Sequence, residues 1–597
     1  MILFWGYKFV FIAYHFETYS SFTFKELLNV FVFGTRLDLS FAAYLSIVPL
    51  VFLIISSIFY KFPLLSFIKG YTSGIIILLA ITHIVDLEIF KTWGFRIDTT
   101  LIKYLTTPKE AIASAGAAPV LLLTVLLIIS IVFSYTIFKA IVIRPYFELR
   151  QRSNVAFLTL LLIGGVLILP IRGGLQLAPI NQSSVYFSND QYLNQAAINA
   201  PWNFSYSIIE NNHNEENPFI YQSVEEVQQR MDVLYPTQDS ASLSVIKNKR
   251  PNIILIIWES FTAKTVEKLG GRKGITPNFN SIIKEGIFFD NFYASGDRSD
   301  KGLIAILSSF PAQSTTSIMR KTNKAAKLPS LAKSLKANDY SSYFYYGGEP
   351  EFANIKSYLI NSKYDQLITK DYFPPESWNS KWGAHDEVVF DKLLSDAHES
   401  RQPFFSTLFT LSSHEPFEIP MKPLLKGKDE ETLFLNSIHY TDSCLGAFID
   451  KAKKELWWDN TLIIITADHG HRLPGGMVNH YPDEFKIPML WVGGALAKKD
   501  TIISVISSQT DIASTLLNQL NINSEEFNYS KNLLSTPGNI FAYYAFKNGF
   551  GYITESGKLV FDNVSKNALL KDSSITEEDV RNGKAYLQYS FQDYLNK

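Results

Sequence analysis

Two apolar runs in this chain end in side chains that can hold a divalent cation, and a serine at a predicted helix start lies between them in sequence. The first run, N-I-I-L-I-I-W over 252–258, leads straight into Glu259 and Ser260. The second, T-L-I-I-I-T over 461–466, leads into Ala467, Asp468, His469, Gly470 and His471. Runs this apolar fit strands buried on both faces, in the middle of a mostly parallel sheet. Open α/β sheets carry their chemistry at the carboxyl ends of such strands. One acid after an apolar run is ordinarily a solvated strand end. Two such strands ending in carboxylates and an imidazole offer the oxygen and nitrogen ligands that divalent metals take.

The serine is Ser299, in A-S-G-D-R-S-D-K-G over 294–302, just before the helical run L-I-A-I-L. It reads as a helix cap or as a nucleophile. At a helix start a hydroxyl meets free backbone N–H groups and the positive end of the helix dipole, which stabilise an anion. Beside a cation the same hydroxyl becomes easier to deprotonate and attacks as an alkoxide.

These residues need a large scaffold, and 597 residues supply more than one domain. The net charge of −1 and the lack of a basic stripe give no electrostatic case for nucleic acid. Hydrophobic residues are 47% of the chain against 19% charged, and they cluster before about residue 172, which points to a membrane part. The single cysteine, Cys444, rules out an intramolecular disulfide and reads as a buried thiol on a helix face.

Four runs have the length of a bilayer span or nearly so: 41–60, 71–90, 119–138 and 155–171. A fifth, 2–15, is apolar and aromatic but short, carries Lys8, and lacks the basic start and cleavage site of a signal peptide; it is expected to be a first transmembrane helix, its beginning truncated by the start codon. The loop 139–154 holds Lys139, Arg144, Arg150 and Arg152 against Glu148, so it is expected inside and everything after Ile171 outside. Arg36, Asp38, Asp86 and Glu88 near helix ends read as interfacial residues that pair with each other, or as the lining of a head-group cavity.

From Arg172 to about Ser242 the texture turns to Asn, Gln, Ser and Tyr, a connector with an amphipathic helix over 224–234. Beyond Asn248 strand-like runs at 252–258, 286–292, 341–346, 403–411, 461–466 and 487–492 alternate with helical patterns, which predicts an α/β sandwich. After about Ser535, runs over 541–554 and 558–562 flank the turn at 555–557 and predict a hairpin, followed by a helix over 577–595. The expected division is a five-helix transmembrane domain over 1–172, a juxtamembrane connector over 173–247, an α/β domain over 248–535, and a small sheet with a helix over 536–597.

Glu259 at the end of the first strand, the hydroxyl in G-D-R-S-D, a histidine in S-S-H-E-P-F and the late A-D-H-G together resemble the alkaline phosphatase and sulfatase superfamily. With five helices in front, the layout is similar to the lipoteichoic acid synthase and phosphoglycerol transferase branch. The resemblance implies a sulfatase-like α/β domain on the outer face of a bacterial cell membrane. It implies that Glu259, Ser299, Asp468 and His469 hold one divalent metal, with manganese the first choice and magnesium or zinc the alternatives. Ser299 would also be the nucleophile; that branch usually has threonine there, and serine keeps the hydroxyl. His414 matches a histidine that meets the head group as an acid or hydrogen-bond donor, although a loop histidine in S-H-E-P is often structural. His480, Arg298 and Lys301 are expected phosphate contacts, with Arg298 equally able to pair with Asp297 or Asp300. Trp382, His385, Asp386 and His471 are expected to line the pocket.

The mechanism implied is two-step transfer of a phosphoglycerol group from a membrane phospholipid, phosphatidylglycerol or phosphatidylethanolamine being the donors weighed, to a hydroxyl on a glycan or lipid acceptor. Formylglycine sulfatases need C/S-x-P-x-R, and Ser299-Asp300-Lys301-Gly302-Leu303 lacks its Pro and Arg. Phosphoethanolamine transferases commonly carry several disulfides, which one cysteine cannot form; that activity, or a hydrolase, is the alternative enzyme. A catalytically silent membrane scaffold is the non-enzyme alternative, against which stand four intact ligand positions.

Overall fold

The computed structural model describes residues 1–59, 62–99, 101, 119–143, 153–188, 190–210, 216–236, 242–378, 380–476, 480–535 and 540–597. The chain divides into two compact units, Met1–Asn214 and Glu215–Lys597.

The first unit is helical. Among the described residues, four helices are long and apolar enough to cross a membrane: Phe24–Ile58, Leu64–Lys91, Val120–Ile143 and Asn154–Arg172. The expected first span is a helix, Ile2–Tyr14, but it has only 13 residues. At about 1.5 Å of rise per residue that falls short of a hydrocarbon core about 30 Å thick. The expected five-helix bundle is therefore four crossing-length helices and a shorter fifth. Phe24–Ile58 begins well before the expected residue 41, because Thr23 and Glu26 form a capping box and no breaker interrupts the charged turns that follow. Those charges are paired within the unit. Asp38 is bonded to Lys8 and accepts from Asn199 Nδ2 at 2.8 Å. Asp86 Oδ2 meets Arg96 Nε at 2.8 Å, Glu88 accepts from the Tyr14 hydroxyl, and Arg36 donates to the Ser184 carbonyl at 3.2 Å. Of the loop charges that set the expected orientation, Arg144, Glu148, Arg150 and Arg152 lie outside the described residues. Short helices Gln191–Ala197 and Ala200–Glu210 complete the unit.

The second unit carries a nine-stranded sheet. Its strands are β1 (Asn252–Trp258), β2 (Ile287–Tyr293), β3 (Ser341–Tyr346), β4 (Gln366–Ile368), β5 (Phe404–Phe409), β6 (Thr461–Ala467), β7 (Lys486–Val492), β8 (Thr501–Ile503) and β9 (Ser507–Ser508). They run in the order β4-β3-β5-β1-β6-β7-β2-β8, with β9 paired to β2. Only β7 runs antiparallel to its neighbours. The two runs singled out in the sequence, β1 and β6, are adjacent, parallel, central and fully buried. Each buried Ile contributes about 1.5–3 kcal/mol, a driving force large enough to offset polar groups buried at the strand ends. Register then sets the chemistry. Trp258 pairs with Ala467, so Glu259 and Asp468 leave the sheet side by side.

A smaller antiparallel sheet follows, of β10 (Phe541–Phe546), β11 (Gly549–Thr554), β12 (Gly557–Asp562) and β13 (Asn567–Lys571). The expected single run over 541–554 is two strands. Asn548 takes φ +63° between them, a conformation Asn tolerates, and folds the chain back. Helix Glu577–Asn596 closes the chain as expected. The small sheet is fastened beside the serine-bearing loop, where Ala545 N donates to the Ser295 carbonyl at 2.8 Å.

Candidate active site

Glu259, Asp468 and His469 converge, each offering a ligand atom within 4.8 Å of the others. His469 Nε2 lies 3.3 Å from Asp468 Oδ2 and 3.6 Å from Glu259 Oε1. The Ser299 hydroxyl donates to Glu259 Oε2 at 3.2 Å and stands 3.5 Å from His469 Nε2. The four residues named from sequence therefore meet at one point. Ser299 is the first residue of helix Ser299–Ser308, after an extended Arg298 at the cap. Ser299 thus stands at the positive end of that helix's dipole.

The environment fits a divalent cation. Asp468 is fully buried, and its Oδ2 has no hydrogen-bond partner. Burial and then the Glu259 anion push the Asp468 carboxyl up to about 7. Burial acts the same way on Glu259, but the charges of His469 and His414 and the Ser260 hydroxyl hold that carboxyl below its ordinary value. Burial lowers His469, and the anions of Asp468 and Glu259 more than reverse that. Two buried carboxylates and an orphaned oxygen make a site short of positive charge, which a metal ion would relieve. His469 Nδ1 is 2.7 Å from the Gly470 carbonyl. That bond places the proton on Nδ1 and leaves Nε2 free as a ligand.

Several residues that sequence patterns did not single out hold these four in place. Gln509, fully buried, donates through Nε2 to the carbonyls of Ala467 at 2.8 Å and Asp468 at 2.6 Å. Its Oε1 accepts from Ser295 N at 2.8 Å, so one side chain joins the end of β6 to the loop of Ser299. Gly302 lets the two backbones meet, since a Cβ there would lie 1.8 Å from the Asp468 carbonyl oxygen. Tyr346, at the end of β3, is buried nearby; burial and then the charges of Glu259 and Asp468 push its phenol up. The signal for Tyr346 was its place at a strand end. Gln509, in S-S-Q-T-D, gave none.

The second-rank residues divide. His414 is close enough for its charge to act on Glu259, and its ring packs on Trp382 with centroids 4.5 Å apart. Arg298 is exposed, while the acids it was weighed against are engaged elsewhere. Asp297 pairs with Lys301 at 2.8 Å, and Asp300 with Arg320 at 2.8 Å. Asp386 is structural: buried, it accepts from Leu411 N at 2.7 Å, Ser412 N at 3.2 Å and the Thr441 hydroxyl at 2.6 Å, fixing the loop that carries His414. His385 is also buried, its Nε2 3.0 Å from the Glu418 carbonyl. His471 stacks on Phe434 at 4.1 Å, and burial lowers it to about 3. His480 lies outside the cluster, its ring against Tyr481 and Phe546.

A mostly parallel sheet thus carries carboxylates and a histidine at two central strand ends, with the Ser299 hydroxyl at a helix start beside them. Residues 251–522 match the family model for Sulfatase. Among curated proteins it is similar to the lipoteichoic acid synthase-like YvgJ of Bacillus subtilis, at 27% identity over 244 residues, 39% of each chain. A crystal structure of an alkaline phosphatase superfamily protein from Vibrio parahaemolyticus superposes with a TM-score of 0.57 at 25% identity, covering 64% of this chain and 98% of that one. The lipoteichoic acid synthase LtaP from Listeria monocytogenes shares the fold, with a TM-score of 0.51 at 19% identity over 63% of this chain and 99% of that one. The chain spans 39% to 55% of the length of the first curated relatives it matches.

Proposed function

We propose that this chain transfers a phosphoglycerol group from a membrane phospholipid to an acceptor hydroxyl, through a phosphoserine ester at Ser299. The observation that carries the reading is the meeting of the Ser299 hydroxyl with Glu259, Asp468 and His469 at a helix start, where Asp468 Oδ2 is buried and unpartnered. The four apolar helices and the similarity to lipoteichoic acid synthases support a lipid donor.

A divalent cation, manganese being our choice, would be held by Glu259, Asp468, His469 and the Ser299 hydroxyl and would supply positive charge that favours loss of the hydroxyl proton. Ser299 Oγ then forms a bond to the donor phosphorus while the bond from phosphorus to the diacylglycerol oxygen breaks. The first-turn N–H groups of helix Ser299–Ser308 meet the charge on the phosphoryl oxygens. The Ser299 proton passes to solvent, and His414, at the edge of the cluster, gives a proton to the departing diacylglycerol oxygen or hydrogen-bonds the head group. In the second step the acceptor hydroxyl gives its proton to the neutral His414, its oxygen bonds to phosphorus as the bond from phosphorus to Ser299 Oγ breaks, and Oγ regains a proton from solvent.

Arg298, exposed beside the nucleophile, is the phosphate contact we favour, with Lys301 behind it and paired to Asp297. We place Trp382 at the substrate side beside His414, with His385 tied to the Glu418 carbonyl of the same loop. We assign His480 to the outer rim, toward the acceptor. In functional terms 248–535 is the catalytic domain, 536–597 an appended sheet and helix, 173–247 a connector, and the catalytic domain works on the outer face of the membrane.

The test is release of diacylglycerol from labelled phosphatidylglycerol by the purified chain in mixed micelles. Release that needs added Mn²⁺ and is lost in Ser299→Ala supports the reading. Equal release by Ser299→Ala overturns it, and release from phosphatidylethanolamine alone reassigns the donor.

A further inference from the structure

Ser260 stands between the two carboxylates of the site. It is 4% exposed and takes φ +58°, in the left-handed region where a side chain is disfavoured and glycine is the usual occupant. Its backbone N–H donates to Asp468 Oδ1 at 2.8 Å, and its hydroxyl donates to Glu259 Oε1 at 2.8 Å. One residue therefore binds one oxygen of each carboxylate. The other two oxygens are left to other groups of the cluster: Glu259 Oε2 accepts from Ser299, and Asp468 Oδ2 is 3.3 Å from His469 Nε2, while Glu259 Oε1 itself lies 3.6 Å from that nitrogen.

The left-handed turn sets where the hydroxyl goes. Glu259 and Asp468 follow the last register pair, Trp258 and Ala467, so the Ser260 amide points sideways to Asp468. With the amide fixed there, φ +58° directs the Ser260 side chain back to the Glu259 carboxylate. Glycine would relieve the backbone and keep the amide bond, yet it would leave Glu259 Oε1 without its donor. A strained backbone of this kind persists where the surroundings over-determine it, commonly at functional sites. Here those surroundings include the Thr410 hydroxyl, which accepts from Glu259 N at 2.9 Å, and the Ser413 hydroxyl, which donates to the Glu259 carbonyl at 2.6 Å.

We infer that Ser260 is a positioning residue for the metal-binding carboxylates, binding one oxygen of each and so fixing the orientation in which both carboxylates meet a cation. This role rests on the metal reading of the site. Groups that bind the outer oxygens of metal ligands typically change metal affinity about 10–100-fold when removed.

The test is calorimetric titration of Mn²⁺ into the full chain, stripped of metal with chelator, as wild type, Ser260→Gly and Ser260→Ala, with thermal melting of each metal-free sample. Ser260→Gly should melt no lower than wild type, because its backbone is relaxed, and still bind Mn²⁺ about 10–100-fold more weakly. Ser260→Ala should show the same loss. Wild-type affinity in a folded Ser260→Gly overturns the positioning role alone. A wild-type chain that takes up no Mn²⁺ overturns the metal reading, and this role falls with it.

Discussion

Replacing Gly302 with alanine should separate the proposed nucleophile, Ser299, from Asp468 without touching either. A Cβ at 302 would lie 1.8 Å from the Asp468 carbonyl oxygen, where ordinary contact needs at least 3.4 Å, so the two backbones must part by 1.6 Å. The obstructing atom is main chain, held by Gln509 Nε2 at 2.6 Å, and cannot swing aside. Two effects oppose each other in stability. Alanine inside helix Ser299–Ser308 gains about 1 kcal/mol of helix propensity over glycine, whereas overpacking a close contact costs about 1–3 kcal/mol. The melting temperature should therefore fall modestly or hold. Turnover is far more sensitive, since a misplacement of about 1 Å in a reacting group can lower rate about 10²-fold. We expect Gly302→Ala to lose at least about that factor in kcat while staying folded. The assay is diacylglycerol release beside circular dichroism melting. A variant with wild-type kcat and a raised melting temperature would refute the claim that this contact sets the distance from Ser299 to Asp468.

Other expectations follow from the same geometry. Glu259→Ala and His469→Ala should each abolish Mn²⁺ uptake by calorimetry, because only one carboxylate with the imidazole, or the two carboxylates alone, remain beside Ser299. Chelation of the wild type should stop turnover and lower the melting temperature, with both restored by Mn²⁺; at 100 times the dissociation constant the linkage is worth about 2.7 kcal/mol. Asp386→Ala should cost about 1–3 kcal/mol per buried donor left unpaired and lower kcat by loosening the His414 loop, read by melting and by turnover. Asp511→Ala should destabilise by about 3–5 kcal/mol in denaturant unfolding, because it strands Lys531, whose Nζ lies 3.4 Å from the Asp511 carboxylate with only 12% of that side chain exposed.

The residues that converge at the candidate site were legible in the sequence because each announces itself by a change of texture. Apolar runs as long as β1 and β6 can only be interior strands, and Glu259 and Asp468-His469 are the first polar residues after them. Ser299 was legible as a hydroxyl before a helical run. What holds these residues was not, because it depends on register and close approach. Gln509 lies 41 residues beyond Asp468 on a short segment with no periodicity, and only the fold brings its amide to the end of β6. Ser260 looks like an ordinary turn serine until its φ is known. Asp386 and His385 sit in K-W-G-A-H-D-E, which reads as a pocket motif, yet burial turns both toward backbone groups. The C-terminal fold-back does carry a turn signal, Asn548-Gly549, which the expectation of one run over 541–554 passed over. In the membrane unit, hydropathy located the apolar stretches, but the helix from Phe24 was hidden by charges that Lys8 and the Ser184 carbonyl bind.

The most direct test of the central claim is peptide mass spectrometry of the chain after incubation with Mn²⁺ and labelled phosphatidylglycerol, quenched in acid. The account predicts a glycerol-phosphate ester on the peptide bearing Ser299 and none in Ser299→Ala. A glycerol-phosphate ester on another residue, or continued transfer with Ser299 unmodified, would contradict it.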